Sequence, residues 1–170
     1  MAEHDLQLGT LRRVGEAVEG HLGRNLGHGR AAVWTMLTDA ASLAQWLAPG
    51  HLEPRLGGAV KIDFADSGTV IDSTVLAWEP ERVLSWSWSH AGEPERPLRF
   101  QLSDAEGGSR LALIVRIPAG EDAAKACAGF EGHLEMLAAA LEGVSIKFPF
   151  DVFLAARGAY RQQLDGLVPG

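Results

Sequence analysis

Features that mark a cellular location or a particular chemistry are scarce in this sequence. It has one cysteine, Cys127, so the chain cannot form an internal disulfide, and it fits a reducing cytosol. No apolar run approaches the roughly 18 to 20 residues that a membrane-spanning helix requires. Residues 1–7 contain neither a basic segment nor an apolar segment, so we expect no signal peptide. These absences predict a cytoplasmic protein without a membrane span.

Positive charge is also in short supply. Lysine and arginine total 15 against 22 acidic residues, which gives a net charge of −7. Because a general nucleic-acid-binding surface is basic, we expect no nucleic-acid partner. The chain has 170 residues, of which 46% are hydrophobic and 22% charged. This composition is typical of a globular protein, and the length predicts a single domain with a substantial core.

Motifs for metal or cofactor chemistry are missing as well. The six histidines are scattered, and none has the spacing of a zinc site. There is no GxSxG nucleophile elbow and no glycine-rich loop before a helix to hold phosphate. The pairs Gly57-Gly58 and Gly107-Gly108 lie between strand-like segments, where glycine permits tight turns. We therefore expect neither a metal nor a cofactor.

The clearest positive feature is one long helical pattern over residues 121–142. Its apolar residues recur at helical spacing and fall within one arc, namely Ala123, Cys127, Phe130, Leu134, Leu137 and Leu141. Glu131 lies mainly on the opposite, polar side, and His133 lies on a flank of small residues. Because Cys127 belongs to the apolar stripe, we expect its thiol to be buried and unreactive.

Segments with period-two alternation precede this helix. Strands are predicted at 10–14, 17–26, 51–56, 60–64, 69–78, 83–90, 98–102 and 111–117, with helices at 30–38 and 40–48 after the second strand. Asp39 is the predicted cap of the second helix. Short turns, such as the one at 66–68, favour an antiparallel meander, and the long helix covers its apolar face. A final helix is predicted at 151–165, after a loop.

Aromatic and polar residues on the concave face suggest a binding site. Trp86 and Trp88 share one face of a strand, where two large rings can either fill a core or line a cavity. His133 either hydrogen-bonds to the protein or contacts a ligand, because buried polar groups require partners. His90 continues the tryptophan face and could lie at a cavity mouth.

A further strand could add polar groups to the same interior. Asp72 and Thr74 would face it if their strand keeps the parity of Val70.

Several motifs within residues 10–142 resemble the activator of heat-shock-protein ATPase homologue family, part of the START-like or SRPBCC superfamily. The matching stretches are 33–39 (VWTMLTD), 43–46 (LAQW), 76–80 (LAWEP), 84–86 (LSW), 108–111 (GSRL) and the long helix from Gly129. The family more often has tryptophan at the position of Phe130. Trp34, Thr38, Asp39 and Trp46 are architectural in this resemblance, so no catalytic residue is transferred.

The resemblance implies an α+β helix-grip fold: a curved antiparallel sheet of about six to seven strands around a long C-terminal helix, with two short helices after the first long strand. One START-like domain would span 1–170, with its core at about 10–142 and a C-terminal loop and helix at 143–170. Family members hold small hydrophobic molecules between sheet and helix. The residues expected to line this cavity are Trp46, Phe64, Trp86, Trp88, Phe100, Leu113, Phe130, His133 and Leu137.

The resemblance leaves several functions open. We expect binding of a lipid-, polyketide- or aromatic-like molecule rather than catalysis. One alternative is a chaperone ATPase-activator-like interaction module, as in a eukaryotic branch of the family. Another is a cyclase- or dehydratase-type enzyme that uses His133 as acid or base. A homodimer could form through an exposed strand edge or the final helix.

Overall fold

The computed structural model describes residues 8–64, 69–90 and 92–167, so the turn predicted at 66–68 lies outside the described residues. Over these ranges the chain forms eight strands and four helices. The strands are β1 Thr10–Val14, β2 Ala17–Leu26, β3 Gly50–Leu52, β4 Ala59–Phe64, β5 Thr69–Glu79, β6 Val83–Ser87, β7 Pro97–Ala105 and β8 Gly108–Ile117. The helices are α1 Arg30–Thr38, α2 Ala40–Trp46, α3 Ala123–Leu141 and α4 Phe150–Gly166.

The strands form one open antiparallel sheet in the order β1-β2-β8-β7-β6-β5-β4-β3. The sheet is curved and carries α3 on its concave side, which confirms the predicted α+β helix-grip fold. The strand count is eight rather than six to seven. The brief strand β3 is shorter than predicted, and it ends the sheet beside β4.

Local sequence signals explain where the helices begin. The Asp39 side chain accepts a hydrogen bond from the Ser42 backbone N–H at 3.1 Å, so it caps α2 as predicted. The Asp122 side chain accepts in the same way from the Lys125 N–H at 3.0 Å and begins α3. Cys127, Phe130, Leu134 and Leu137 on the apolar stripe of α3 are buried against the sheet.

The structure differs from the sequence-based expectation at two places, and both depend on a neighbouring element. In β5, Ile71 pairs with Ile62 of β4 and shares its buried face, so Asp72 and Thr74 point to the other side. Asp72 forms an ion pair with Lys61 there.

In α3, Glu131 is only 1% exposed, although the helical period places it on the polar side. The reason is that α4 packs on that side of α3, with Ala156 and Tyr160 fully buried. Across the residues that the structure describes, no helix has the length and apolar character needed to cross a membrane.

Candidate functional site

A cavity of about 650 Å³ lies between α3, one end of the sheet and the segment that leads into α4. Its volume is in the range of sites for small organic molecules. Five rings, which we call the aromatic wall, surround much of it: Phe64, Trp88, Phe130, Phe148 and Phe153. His133 of α3 lies among them. The cavity therefore combines aromatic rings and one imidazole with charged side chains, namely Glu93, Arg96, Glu121, Asp122 and Lys125.

Neighbouring rings in the aromatic wall meet edge to face or at a tilt. The ring centroids of Trp88 and Phe130 are 4.9 Å apart, and those of Trp88 and Phe64 are 5.1 Å apart. Such edge-to-face and tilted contacts are favourable for aromatic rings. The His133 imidazole continues the series, with its centroid 6.0 Å from Phe64 and 5.3 Å from Phe148. The rings thus form a contiguous surface against which a flat apolar molecule can pack.

The protonation of His133 follows from its partner. Its Nδ1 lies 2.9 Å from the backbone carbonyl oxygen of Trp46. A carbonyl only accepts hydrogen bonds, so Nδ1 must carry the proton. Burial lowers the pKa of His133, and the hydrogen bond to Trp46 opposes this only in part. The side chain is therefore a neutral imidazole near neutral pH, with a bare Nε2 that can accept a hydrogen bond.

A charged clasp closes one side of the cavity. The Arg96 guanidinium donates two hydrogen bonds to the Glu121 carboxylate, at 2.6 and 2.9 Å. It also donates to the Trp88 carbonyl oxygen at 3.2 Å. The hydrogen bonds with Glu121 raise the pKa of Arg96, so this ion pair stays charged. The clasp joins the β6–β7 loop to the start of α3 and fixes Trp88 in the wall.

The predicted lining residues divide into two groups. Phe64, Trp88, Phe130 and His133 line the cavity. The others are buried in the core and are absent from the cavity lining: Trp46, Trp86, Phe100, Leu113 and Leu137. His90 is exposed and is not part of the lining either. The role of all these residues in ligand binding remains a prediction.

The first group and the second differ because the concave face is filled at one end and hollow at the other. Trp46 packs edge to face on Phe100 at 6.3 Å, and its indole N–H donates to the Met36 carbonyl oxygen at 2.7 Å. Trp86 packs at 6.4 Å from the same Phe100. These large side chains fill the part of the interior nearest α1 and α2.

Sequence reasoning missed the contribution of the C-terminal segment. Phe148 and Phe153 line the cavity, yet they belong to the predicted loop and final helix. The available signal was a group of three phenylalanines close together in the sequence, namely Phe148, Phe150 and Phe153. Phe150 is 68% exposed, so composition alone does not separate the lining rings from the surface ring.

A second polar cluster lies outside the cavity lining and joins four elements. Arg24 of β2 forms ion pairs with Glu131 at 2.8 Å and with Glu135 at 3.1 Å. The Tyr160 hydroxyl donates to Glu131 and accepts from the Gly9 N–H at 2.8 Å. Burial, followed by the charge of Glu131, raises the pKa of Tyr160. We call these residues the carboxylate joint, and their contacts indicate a structural role.

The joint extends along β1 through one more side chain of α4. The Gln163 side-chain oxygen accepts from the Leu11 N–H at 2.9 Å, and its amide donates to the Gly9 carbonyl oxygen at 3.1 Å. The outward-facing backbone groups at the start of β1 are therefore bonded to α4.

Cys127 is buried close to the carboxylate joint, as predicted. A Cβ built on Gly20 would lie 2.6 Å from its Sγ, so the sulfur rests against the backbone of β2. Burial, with a further contribution from Glu131, raises the pKa of Cys127 to about 12. A thiol with this pKa is protonated under physiological conditions. No group of three or more potential metal ligands occurs in the described part of the chain.

The fold and the cavity place this protein among helix-grip proteins with an interior cavity beside the long helix. More narrowly, the chain belongs to the family described as Activator of Hsp90 ATPase homolog 1-like protein, whose sequence profile matches residues 28–142. This confirms the resemblance seen in the sequence. No curated protein matches the chain.

Solved structures share the fold of this chain. A conserved protein of unknown function from Enterococcus faecalis, EF2215, has a TM-score of 0.79 and 18% identity, covering 93% of this chain and 91% of that one. CalU16 from Micromonospora echinospora has a TM-score of 0.74 and 19% identity, covering 92% and 96%. DynU16, a putative protein in the dynemicin biosynthetic locus, has a TM-score of 0.65 and 28% identity, covering 73% of this chain and 47% of that one.

Proposed function

We propose that this protein binds a small, flat, hydrophobic molecule in the cavity beside α3. The observation that carries the proposal is the aromatic wall: a cavity of about 650 Å³ lined by rings that contact their neighbours and form a contiguous apolar surface. Burying apolar ligand surface there gains roughly 25 cal/mol per Å². The fixed Trp88 and the neutral His133 favour a planar molecule with few charges.

A second candidate is a cyclase-like enzyme that acts through His133. The bare Nε2 in the cavity favours it, because a neutral imidazole can accept a proton from a bound substrate. The location of the gene for DynU16 in a biosynthetic locus is consistent with such chemistry in a related protein. Activation of a chaperone ATPase is supported by family membership alone, and we do not propose it.

Gly129 provides a direct test of ligand binding. It lines the cavity, and a Cβ built on it would meet nothing within 4 Å. Gly129→Leu should therefore extend a side chain into the cavity while keeping a good helix former in α3. Gly158→Leu is the matched control, because Gly158 is an exposed position of α4 with the same open surroundings and no part in the lining.

The probe is 1-aminoanthracene, a flat aromatic amine that fluoresces in apolar surroundings. We expect saturable binding to the native protein and to Gly158→Leu, with affinity at least about tenfold lower for Gly129→Leu. Displacement by oleate, a sterol or an aromatic polyketide would then identify the ligand class. Absence of saturable binding, or equal binding by both variants, would overturn the proposal.

A further inference from the structure

We propose that the ligand of this cavity carries a neutral hydrogen-bond donor, a hydroxyl or an N–H, that is received by Nε2 of His133. The inference rests on the proposed binding function and adds a chemical requirement to it. A hydrocarbon of the right shape would fill the aromatic wall but leave the imidazole without a partner. A phenol-like molecule would satisfy both.

The tautomer of His133 is imposed by the end of α2. The carbonyl groups in the last turn of a helix lack partners within that helix. The Trp46 carbonyl oxygen is one of these, and it accepts its hydrogen bond from Nδ1 of His133 at 2.9 Å. The Trp46 indole is itself anchored to Met36 and is 1% exposed. A rigid acceptor therefore holds the single proton of the neutral ring on Nδ1.

The other ring nitrogen, Nε2, has no hydrogen-bond partner in the described part of the chain. His133 is a lining residue, and its Nδ1 is occupied by Trp46, so Nε2 is the polar atom that it can offer to a ligand. His133 is half-buried, and a ligand that covers Nε2 without donating to it would remove that acceptor from water, which is unfavourable. The site should therefore discriminate against ligands that lack a donor.

The immediate neighbours of the imidazole disfavour a charged donor at Nε2, although the carboxylates of Glu93, Glu121 and Asp122 also line the cavity. Phe64 and Phe148 are its ring neighbours, and no charged side chain contributes to the pKa shift of His133. An ammonium group placed there would lose its hydration without gaining an ion pair. A neutral hydroxyl or N–H loses much less. The expected class is thus a flat, uncharged aromatic or conjugated molecule with at least one such group.

The experiment compares two probes that differ in one methyl group. 2-Naphthol donates a hydrogen bond, whereas 2-methoxynaphthalene has the same ring system and no donor. Calorimetry or quenching of tryptophan fluorescence near neutral pH gives both affinities for the full chain. We expect 2-naphthol to bind about tenfold more tightly than its methyl ether, the usual magnitude for one buried hydrogen bond.

His133→Asn then locates the acceptor. The asparagine amide can still donate to the Trp46 carbonyl oxygen from the place of Nδ1, but it offers nothing at the place of Nε2. Whatever its affinity for 2-methoxynaphthalene, the variant should bind 2-naphthol no better than the methyl ether, so the preference for the donor is lost. Histidine side-chain NMR provides a readout without substitution, because the Nε2 resonance should shift when 2-naphthol is added.

The possible outcomes separate the two proposals. Equal affinity of the native protein for both probes would overturn the donor requirement while leaving ligand binding intact. A preference for 2-naphthol that survives in His133→Asn would assign the hydrogen bond to another group and overturn the role of Nε2. If neither probe nor 1-aminoanthracene binds, the cavity is not a binding site for such molecules, and both proposals fail.

Discussion

The ring of Phe148 lies directly against Gly132 of α3. A Cβ built on Gly132 would be only 2.6 Å from Cε1 of that ring, which is closer than packed atoms approach. Phe148 also contacts His133 and Phe153, so its position closes one side of the cavity. The missing side chain at Gly132 is therefore what allows the segment before α4 to pack on α3.

Substitution of Gly132 should destabilise the protein, although alanine is usually more stable than glycine within a helix. Gly132→Ala forces the Phe148 ring outward, and we expect the free energy of unfolding to fall by about 1 kcal/mol. Gly129→Ala is the control, because its Cβ has free space and should instead raise stability by about 0.5–1 kcal/mol. Urea denaturation measures both values. Stabilisation of similar size in the two variants would show that the position of Phe148 does not depend on the missing side chain at Gly132.

The carboxylate joint should respond unequally to the loss of its acidic residues. Glu131→Ala leaves the buried Arg24 without its 2.8 Å partner and should cost about 3 kcal/mol. Glu135→Ala removes a carboxylate that is 40% exposed, and we expect a loss below about 1 kcal/mol. Chemical denaturation again provides the comparison. Losses of the same size would contradict the assignment of Glu131 as the central residue of the joint.

Acid should weaken the native state through His133. Because burial lowers its pKa from the ordinary 6.5, the unfolded chain takes up a proton more readily than the folded chain. The stabilising contribution is complete above about pH 6.5 and is lost as the pH falls below that value. The free energy of unfolding of the native protein, relative to His133→Asn, should therefore decrease over this interval. If the difference in unfolding free energy between the two proteins does not change with pH, the pKa of His133 is not lowered in the folded state.

The thiol of Cys127 should resist alkylation while the protein is folded. Its pKa of about 12 leaves little thiolate, and the sulfur is buried against Gly20. We expect no iodoacetamide adduct by mass spectrometry under mildly alkaline native conditions and rapid modification in urea. Modification of the folded protein at the rate of a free thiol would mean that the helix opens easily at this point.

The sequence predicted most of the fold because periodicity reports which side of an element is apolar. The stripe on α3, the two strands at 10–14 and 17–26 and the cap at Asp39 were all visible in this way. Periodicity does not report what covers the opposite side. Glu131 looks like a surface residue until α4 is placed over it.

The site was harder to predict for a related reason. Trp86 and Trp88 share one strand face, yet Trp86 fills the core and Trp88 lines the cavity. The alternation of side chains along a strand assigns each one to a face of the sheet. Which part of that face is filled and which part borders the cavity depends on packing by distant residues such as Trp46. Phe148 lies in a segment without regular structure, so no period could connect it to His133.

The bonding of β1 to α4 has a consequence for self-assembly. An open sheet has two edges at which further strands could add, and these are β1 and β3 here. Along β1, the Gly9 and Leu11 N–H groups already donate to Tyr160 and Gln163 of the same chain. Strand addition at the start of β1 is therefore blocked by α4, whereas the edge at β3 offers only three residues to a partner strand.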